Sequence, residues 1–184
     1  MNLLYIILTI IVLVIIAAIG IYNSLVRRRL RVDEAWSDIE VQMKRRYDLI
    51  PNVVETVKGY AGHEKNVLES VTNARTQAMG AQSPKEHLQA ENMLSGTLKT
   101  LFAVAENYPD LKANANFLDL QRELADTENK LQSARRFYNS VVRDYNTMIH
   151  TFPSVLIAGS FQFTPRDFFD LEEEAARQPV KVSF

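Results

Sequence analysis

Residues 22–61 read YNSLVRRRLRVDEAWSDIEVQMKRRYDLIPNVVETVKGYA, and the fold follows from how this stretch is read. Its apolar residues are Leu25, Val32, Trp36, Ile39, Met43, Ile50, Val54 and Val57. They recur mostly at steps of three, four or seven, which lines them up along one side of a helix. Arg29, Arg31, Glu34, Asp38, Glu40 and Lys44 fall on the other side. No glycine interrupts the run between Gly20 and Gly59, and its first proline is Pro51. A proline lacks the backbone N–H and crowds the carbonyl four residues back, here that of Tyr47, so a kink or short break is expected there.

Upstream, residues 2–22 read NLLYIILTIIVLVIIAAIGIY. About 20 uncharged residues at about 1.5 Å each match a hydrocarbon core of about 30 Å. Tyr5 and Tyr22 stand near its two ends, where aromatic side chains favour the interface. A cleaved signal peptide would need basic residues before the apolar run and a small-x-small motif after it, and neither is present. Residues 1–22 therefore read as a transmembrane anchor that continues without interruption into a soluble helix. Arg27, Arg28, Arg29 and Arg31 flank the span on its C-terminal side only. The positive-inside rule then places the N-terminus outside and the rest of a single-pass chain in the cytoplasm. The same arginines meet anionic headgroups as a second role.

Downstream the period of a helix persists. Leu68, Val71, Ala74 and Ala78 mark a helix over about 63–79, and Gly80 to Pro84 is a turn. Ser83, Pro84 and Glu86 form a capping box that opens a helix over about 84–105, with Leu88, Ala90, Met93, Leu94, Leu98, Leu101, Phe102 and Ala105 on its stripe. Glu91 reads as an exposed position on that helix. Pro109 ends the segment, and a long helix is expected over about 117–152, where Pro153 stops it. Short turns between long amphipathic helices imply antiparallel neighbours. The fold class is all-α: a transmembrane helix continuing into a long antiparallel four-helix bundle over 23–152, followed by an irregular apolar and acidic segment over 153–184. In that last segment a helix is expected from Thr164 or Pro165 to Arg177, and alternation hints weakly at strand over 160–164 and 180–184. A Tyr-Asn pair recurs at Tyr22-Asn23, Tyr138-Asn139 and Tyr145-Asn146. Similar core residues on two helices explain it; hydrogen bonds between helices near the membrane are the functional alternative.

Composition narrows the function classes. The 184 residues are 47% hydrophobic with a net charge of -1, which gives no reason to expect nucleic-acid binding. The absence of cysteine removes disulfides, thiolate catalysis and Cys-based metal sites. His63, His87 and His150 fall on different expected helices, and none is in a metal-ligand motif. No phosphate loop or nucleophile elbow is present. No catalytic, cofactor or metal residue is expected. Arg45, Arg46, Asp48 and Glu55 suggest an ion-pair network around Pro51, more in keeping with structure than with acid–base chemistry. Lys44-Arg45-Arg46 and Arg135-Arg136 fit anionic-ligand sites and solvated helix faces equally well. Trp36 is expected in the core.

The residues 22–64 (YNSLVRRRLRVDEAWSDIEVQMKRRYDLIPNVVETVKGYAGHE), 107–139 (NYPDLKANANFLDLQRELADTENKLQSARRFYN) and 142–158 (VRDYNTMIHTFPSVLIA) resemble the LemA family. The resemblance implies a single N-terminal span and a four-helix antiparallel soluble domain of the bacterial cell envelope, with no enzymatic activity to be assumed and no catalytic residues to carry over. It also hints at membrane metalloproteases or other envelope proteins as partners.

The expected function is a membrane-anchored scaffold or adaptor that works through protein contacts and self-association. The alternatives are a sensor with a ligand between its helices and an enzyme with a hidden site. The expected contact surface is Val155, Leu156, Ile157, Phe161, Phe163, Phe168 and Phe169, because so apolar a segment normally marks an interface. Four alternating helices would return Phe152 to the membrane. A neighbouring subunit is preferred to lipid as the partner there, since the segment lacks a basic face and an acidic stretch follows it.

Overall fold

The computed structural model describes residues 2–169, and all regular structure among them is helical. The expected strand over 160–164 is absent, and 164–169 are not helical. The expectations over 170–184 lie outside the described residues.

Six helices are present among the described residues: α1 (Asn2–Tyr60), α2 (Lys65–Gly80), α3 (Pro84–Ala105), α4 (Pro109–Lys112), α5 (Ala115–His150) and α6 (Ser154–Ser160). The apolar run and the first soluble helix are thus one element of 59 residues. Its N-terminal part is long and apolar enough to cross a membrane, and those side chains are exposed.

Helix α1 passes Pro51 without the expected break. The physical reason lies in α2. The Tyr47 carbonyl that Pro51 cannot serve accepts a hydrogen bond from Arg75 Nε at 2.7 Å. A side chain has replaced the missing backbone donor.

The chain forms two compact units, and α1 and α5 contribute to both. In the unit of residues 1–43 and 130–168, α1 supplies Leu25, Val32, Ala35, Ile39 and Met43 to the core. Helix α5 answers with Leu131, Tyr138, Val141, Val142, Tyr145 and Ile149. The two stretches run antiparallel: Ser24 Oγ lies 3.7 Å from Met148 Sδ, and Arg28 lies 3.8 Å from Asp144. Trp36 is only half-buried, with its ring against Tyr138 at 5.5 Å and its Nε1 donating to Glu40 Oε1. The amphipathic indole keeps its N–H at the edge of the core.

After Pro153 the chain forms α6, which buries Ser154 and Ala158. It ends in a Schellman motif: Phe163 N–H donates to the Ala158 carbonyl at 2.9 Å, and Gln162 takes the left-handed φ of 56° that this turn requires. Residues 164–167 then lie along α5, held by its side chains. Tyr145 Oη donates to the Thr164 carbonyl at 3.0 Å, Asn146 makes two hydrogen bonds with the Arg166 backbone, and Tyr138 Oη donates to the Asp167 carbonyl at 2.9 Å. Tyr138, Tyr145 and Asn146 of α5 therefore hydrogen-bond to the backbone of the segment after α6. Burial pushes the Tyr138 and Tyr145 hydroxyls up from their ordinary pKa, which keeps them as donors.

In the unit of residues 44–129, the core takes Ile50, Val53 and Val57 from α1, Leu68 and Val71 from α2, Leu94, Leu98 and Leu101 from α3, and Phe117 and Leu124 from α5. The α2–α3 turn follows its chemistry. Ser83 Oγ accepts from Glu86 N–H at 3.2 Å, Pro84 holds the first helical position, and Glu86 accepts from the Gln82 N–H at 2.8 Å. The Gln82 hydrogen bond is the main reason the Glu86 carboxyl titrates below its ordinary range. Pro109 starts the short α4 rather than merely ending α3.

Candidate functional sites: a buried ion cluster and an aromatic cluster at the end of the span

Leu25, Val32 and Ile39 are seven residues apart, and the next position in that series is Arg46. Arg46 is accordingly buried, with 5% of its surface exposed. A buried guanidinium needs anionic partners, and two other helices provide them. Arg46 Nη1 lies 3.0 Å from Glu91 Oε2 on α3 and 2.7 Å from Glu128 Oε2 on α5, and Nη2 donates to Ser95 Oγ at 2.8 Å. Tyr47 Oη donates to the other oxygen of Glu91. Arg46 Nε meets no hydrogen-bond acceptor among the described residues.

Glu91 is therefore not the exposed position that the stripe implies; only 3% of its surface is exposed, while Met93 is turned outward. Burial raises the Glu91 pKa, against the opposing pull of Arg46. Burial first and Glu91 second push the Tyr47 hydroxyl far up. Around this cluster, Arg45 pairs with Glu123 at 2.7 Å, and Lys44 pairs with Asp48 at 3.3 Å. The ion pairs expected near Pro51 are real, but the partners of Arg46 come from α3 and α5, and Glu55 pairs with Lys58 instead. Glu91 and Glu128 carry no local motif. Their one sequence signal is that each falls at or beside a core position of its helix. Beside the cluster lies a mostly apolar cleft of about 520 Å³, lined by Arg46, Ser95, Leu98, Phe102, Leu124 and Glu128 among others.

In the other unit, Tyr22 at the end of the apolar run packs its ring against Phe161 at 4.8 Å and Phe163 at 5.8 Å. The membrane-flanking arginines also have partners in the chain. Arg28 pairs with Asp144, Arg29 stands over the Phe163 ring at 5.5 Å, and Arg31 stands over Phe137 at 5.7 Å. Arg27 is exposed. The expected contact surface divides. Val155, Leu156, Phe161 and Phe168 are exposed, and Ile157 is half-buried. Phe163 is buried, because the turn after α6 brings its ring against Tyr22 and Arg29; Phe169, which belongs to the unit of 44–129, is also buried.

No group of three or more acidic, His or Cys side chains suited to a metal occurs among the described residues.

The model of the LemA family matches residues 35–184. The chain is 29% identical over 138 residues to Protein LemA of Metamycoplasma hominis, covering 73% of this chain and 62% of that protein, so it spans about three-fifths of that relative's length. It is 23% identical to Magnetosome protein MamQ 2 of Paramagnetospirillum magneticum and to Magnetosome protein MamQ of Magnetospirillum gryphiswaldense, each match covering 86% of this chain and 68% of the relative. With the family model matching residues 35–184, most of its length, the chain belongs to the LemA family.

Proposed function

We propose that this protein is a membrane-anchored, non-catalytic scaffold that acts through protein contacts, including contacts with its own copies. The observation that carries this reading is the unbroken α1, which joins an exposed apolar span to charge-covered helices in a single element. The buried ionisable groups support it, since Arg46, Glu91 and Tyr47 are engaged with one another across helices. The names Protein LemA and Magnetosome protein MamQ are not those of enzymes, which is consistent with it. A membrane protein, a membrane metalloprotease among the candidates, is the expected partner class alongside a second copy. Purification in mild detergent with light scattering and mass spectrometry tests this. A defined homo-oligomer or a stoichiometric partner is expected, and a monomer without partners overturns it.

The arginines after the span favour a cytoplasmic soluble part. Because the chain has no cysteine, Ser140→Cys at an exposed position of α5 reports its side of the membrane. It should resist an impermeant thiol reagent in intact cells, and ready labelling reverses the orientation. The cleft beside Arg46 favours a second reading, a ligand held between helices. Leu98→Trp would narrow it and should abolish any small-molecule thermal shift.

A further inference from the structure

The unit that contains the end of the span presents a second apolar surface. Phe152 is 80% exposed, Leu156 61% and Phe161 60%, whereas Ser154 and Ala158 on the same short helix are buried. So much exposed aromatic and aliphatic surface in one segment needs a cover.

Its position identifies the cover. Tyr22 closes the apolar run and stands where the bilayer meets water, and its ring touches Phe161. Phe161 is therefore at the level of the interface. The antiparallel register of α1 and α5 gives the same level independently. Ser24 lies against Met148 and Arg28 against Asp144, so each step up α5 is a step back along α1. The last turns of α5 thus lie against residues 24–28, and Phe152 follows just beyond the end of that helix. The segment is fixed there from its aqueous side. Ser154 Oγ is 2.6 Å from the Met148 carbonyl, and Tyr145 and Asn146 hold residues 164–166. The basic face that 153–169 lacks in sequence is supplied by α1, where Arg27 is exposed and Arg28 and Arg29 lie beside it.

We infer that Phe152, Leu156 and Phe161 insert into the same bilayer leaflet that α1 leaves, as a second, non-spanning membrane contact beside the transmembrane helix, with Arg27–Arg29 facing its anionic headgroups. The occupant of this surface is lipid rather than a second copy of the chain, because the span fixes its level at the headgroup–acyl boundary. This inference does not rest on the scaffold reading.

Single-cysteine variants of the full chain test it, since no native thiol interferes. Leu156→Cys and Phe161→Cys would carry a small fluorophore, in nanodiscs of phosphatidylcholine and phosphatidylglycerol with brominated acyl chains. Ile19→Cys marks the lipid, and Ser140→Cys lies about 12 Å along α5 from Met148 at about 1.5 Å per residue. The 156 and 161 labels should be quenched by brominated lipid to an extent near that at 19 and several-fold above that at 140, with little quenching by aqueous iodide. Iodide quenching matching that at 140 would overturn the inference, as would shielding from both quenchers, which means a protein cover. Leu156→Trp, read by the brominated-lipid quenching it adds to that of the native Trp36, repeats the test without a label at the surface, and no added quenching overturns the inference equally.

Discussion

Ile39 and Arg46 occupy equivalent places on α1, seven residues apart, yet they are buried in opposite ways. Around Ile39 the unit of 1–43 and 130–168 is closed by aliphatic side chains, by Trp36 against Tyr138, and by α5 side chains that hold backbone carbonyls of 164–167. Around Arg46 the unit of 44–129 contains an arginine, two glutamates, a serine and a tyrosine at close range. An apolar core position accepts any partner of suitable volume. A charged one accepts only partners that neutralise and hydrogen-bond it, so it dictates which residues of which helices face it.

The largest effect should come from removing one member of the charged set. Glu91→Ala leaves Arg46 short of a buried partner and should destabilise by about 3–5 kcal/mol, measured by thermal unfolding of the full chain in detergent. Replacing both, as Arg46→Met with Glu91→Leu, should recover most of that loss, because the incompletely satisfied pair is poorly placed to repay its desolvation. A double variant as unstable as the single would mean that the cluster is a net stabiliser.

The apolar counterpart should be less sensitive to the chemistry of its neighbours. Ile39→Ala should lose about 2–5 kcal/mol. Ile39→Leu should lose under about 1.5 kcal/mol. A conservative change at 39 as severe as Glu91→Ala would erase the distinction between the two units.

At the polar edge of the first unit, Asn146→Ala removes both hydrogen bonds to Arg166 and should cost about 1–3 kcal/mol. The loss should be local, seen as faster hydrogen exchange over 164–167 with little change around Arg46.

The response to pH separates the two units further. The folded-state pKa of Glu91 is raised, so its contribution to stability is fully present below the ordinary glutamate value of about 4.3 and is lost as pH rises through the folded value. Glu91→Gln should therefore gain on the wild type as pH rises from about 4.3 towards neutrality, and parallel curves would refute the shift. Ser83→Ala should have the smallest effect, about 1 kcal/mol from a lost N-cap, with no change in pH response near neutrality.

The repeating spacing of apolar residues was enough to mark the four long helices and the continuity of the apolar run into α1, and Ser83, Pro84 and Glu86 marked the cap, because each depends on residues within a few positions of one another; the short α4 and α6 carry too few residues for a period to show. Local propensity also marked Pro51 as a defect, correctly as to the missing donor. It could not supply Arg75, which comes from another helix and removes the break. The same limit hid the buried cluster. Lys44-Arg45-Arg46 read as a basic helix face, although Arg46 stands seven residues beyond Ile39, and its partners Glu91 and Glu128 lie 45 and more residues away along the chain. The Phe-rich segment after Pro153 advertised exposed apolar surface. Which rings turn in and which turn out was settled by the Schellman turn at Gln162 and by the α5 side chains that hold 164–167. Periodicity is a property of one helix and its own dihedral angles, so the chain carries it openly. The partner of a buried charge, or the face of a folded-back segment, is a property of distances between elements, and those distances exist only once the chain has packed.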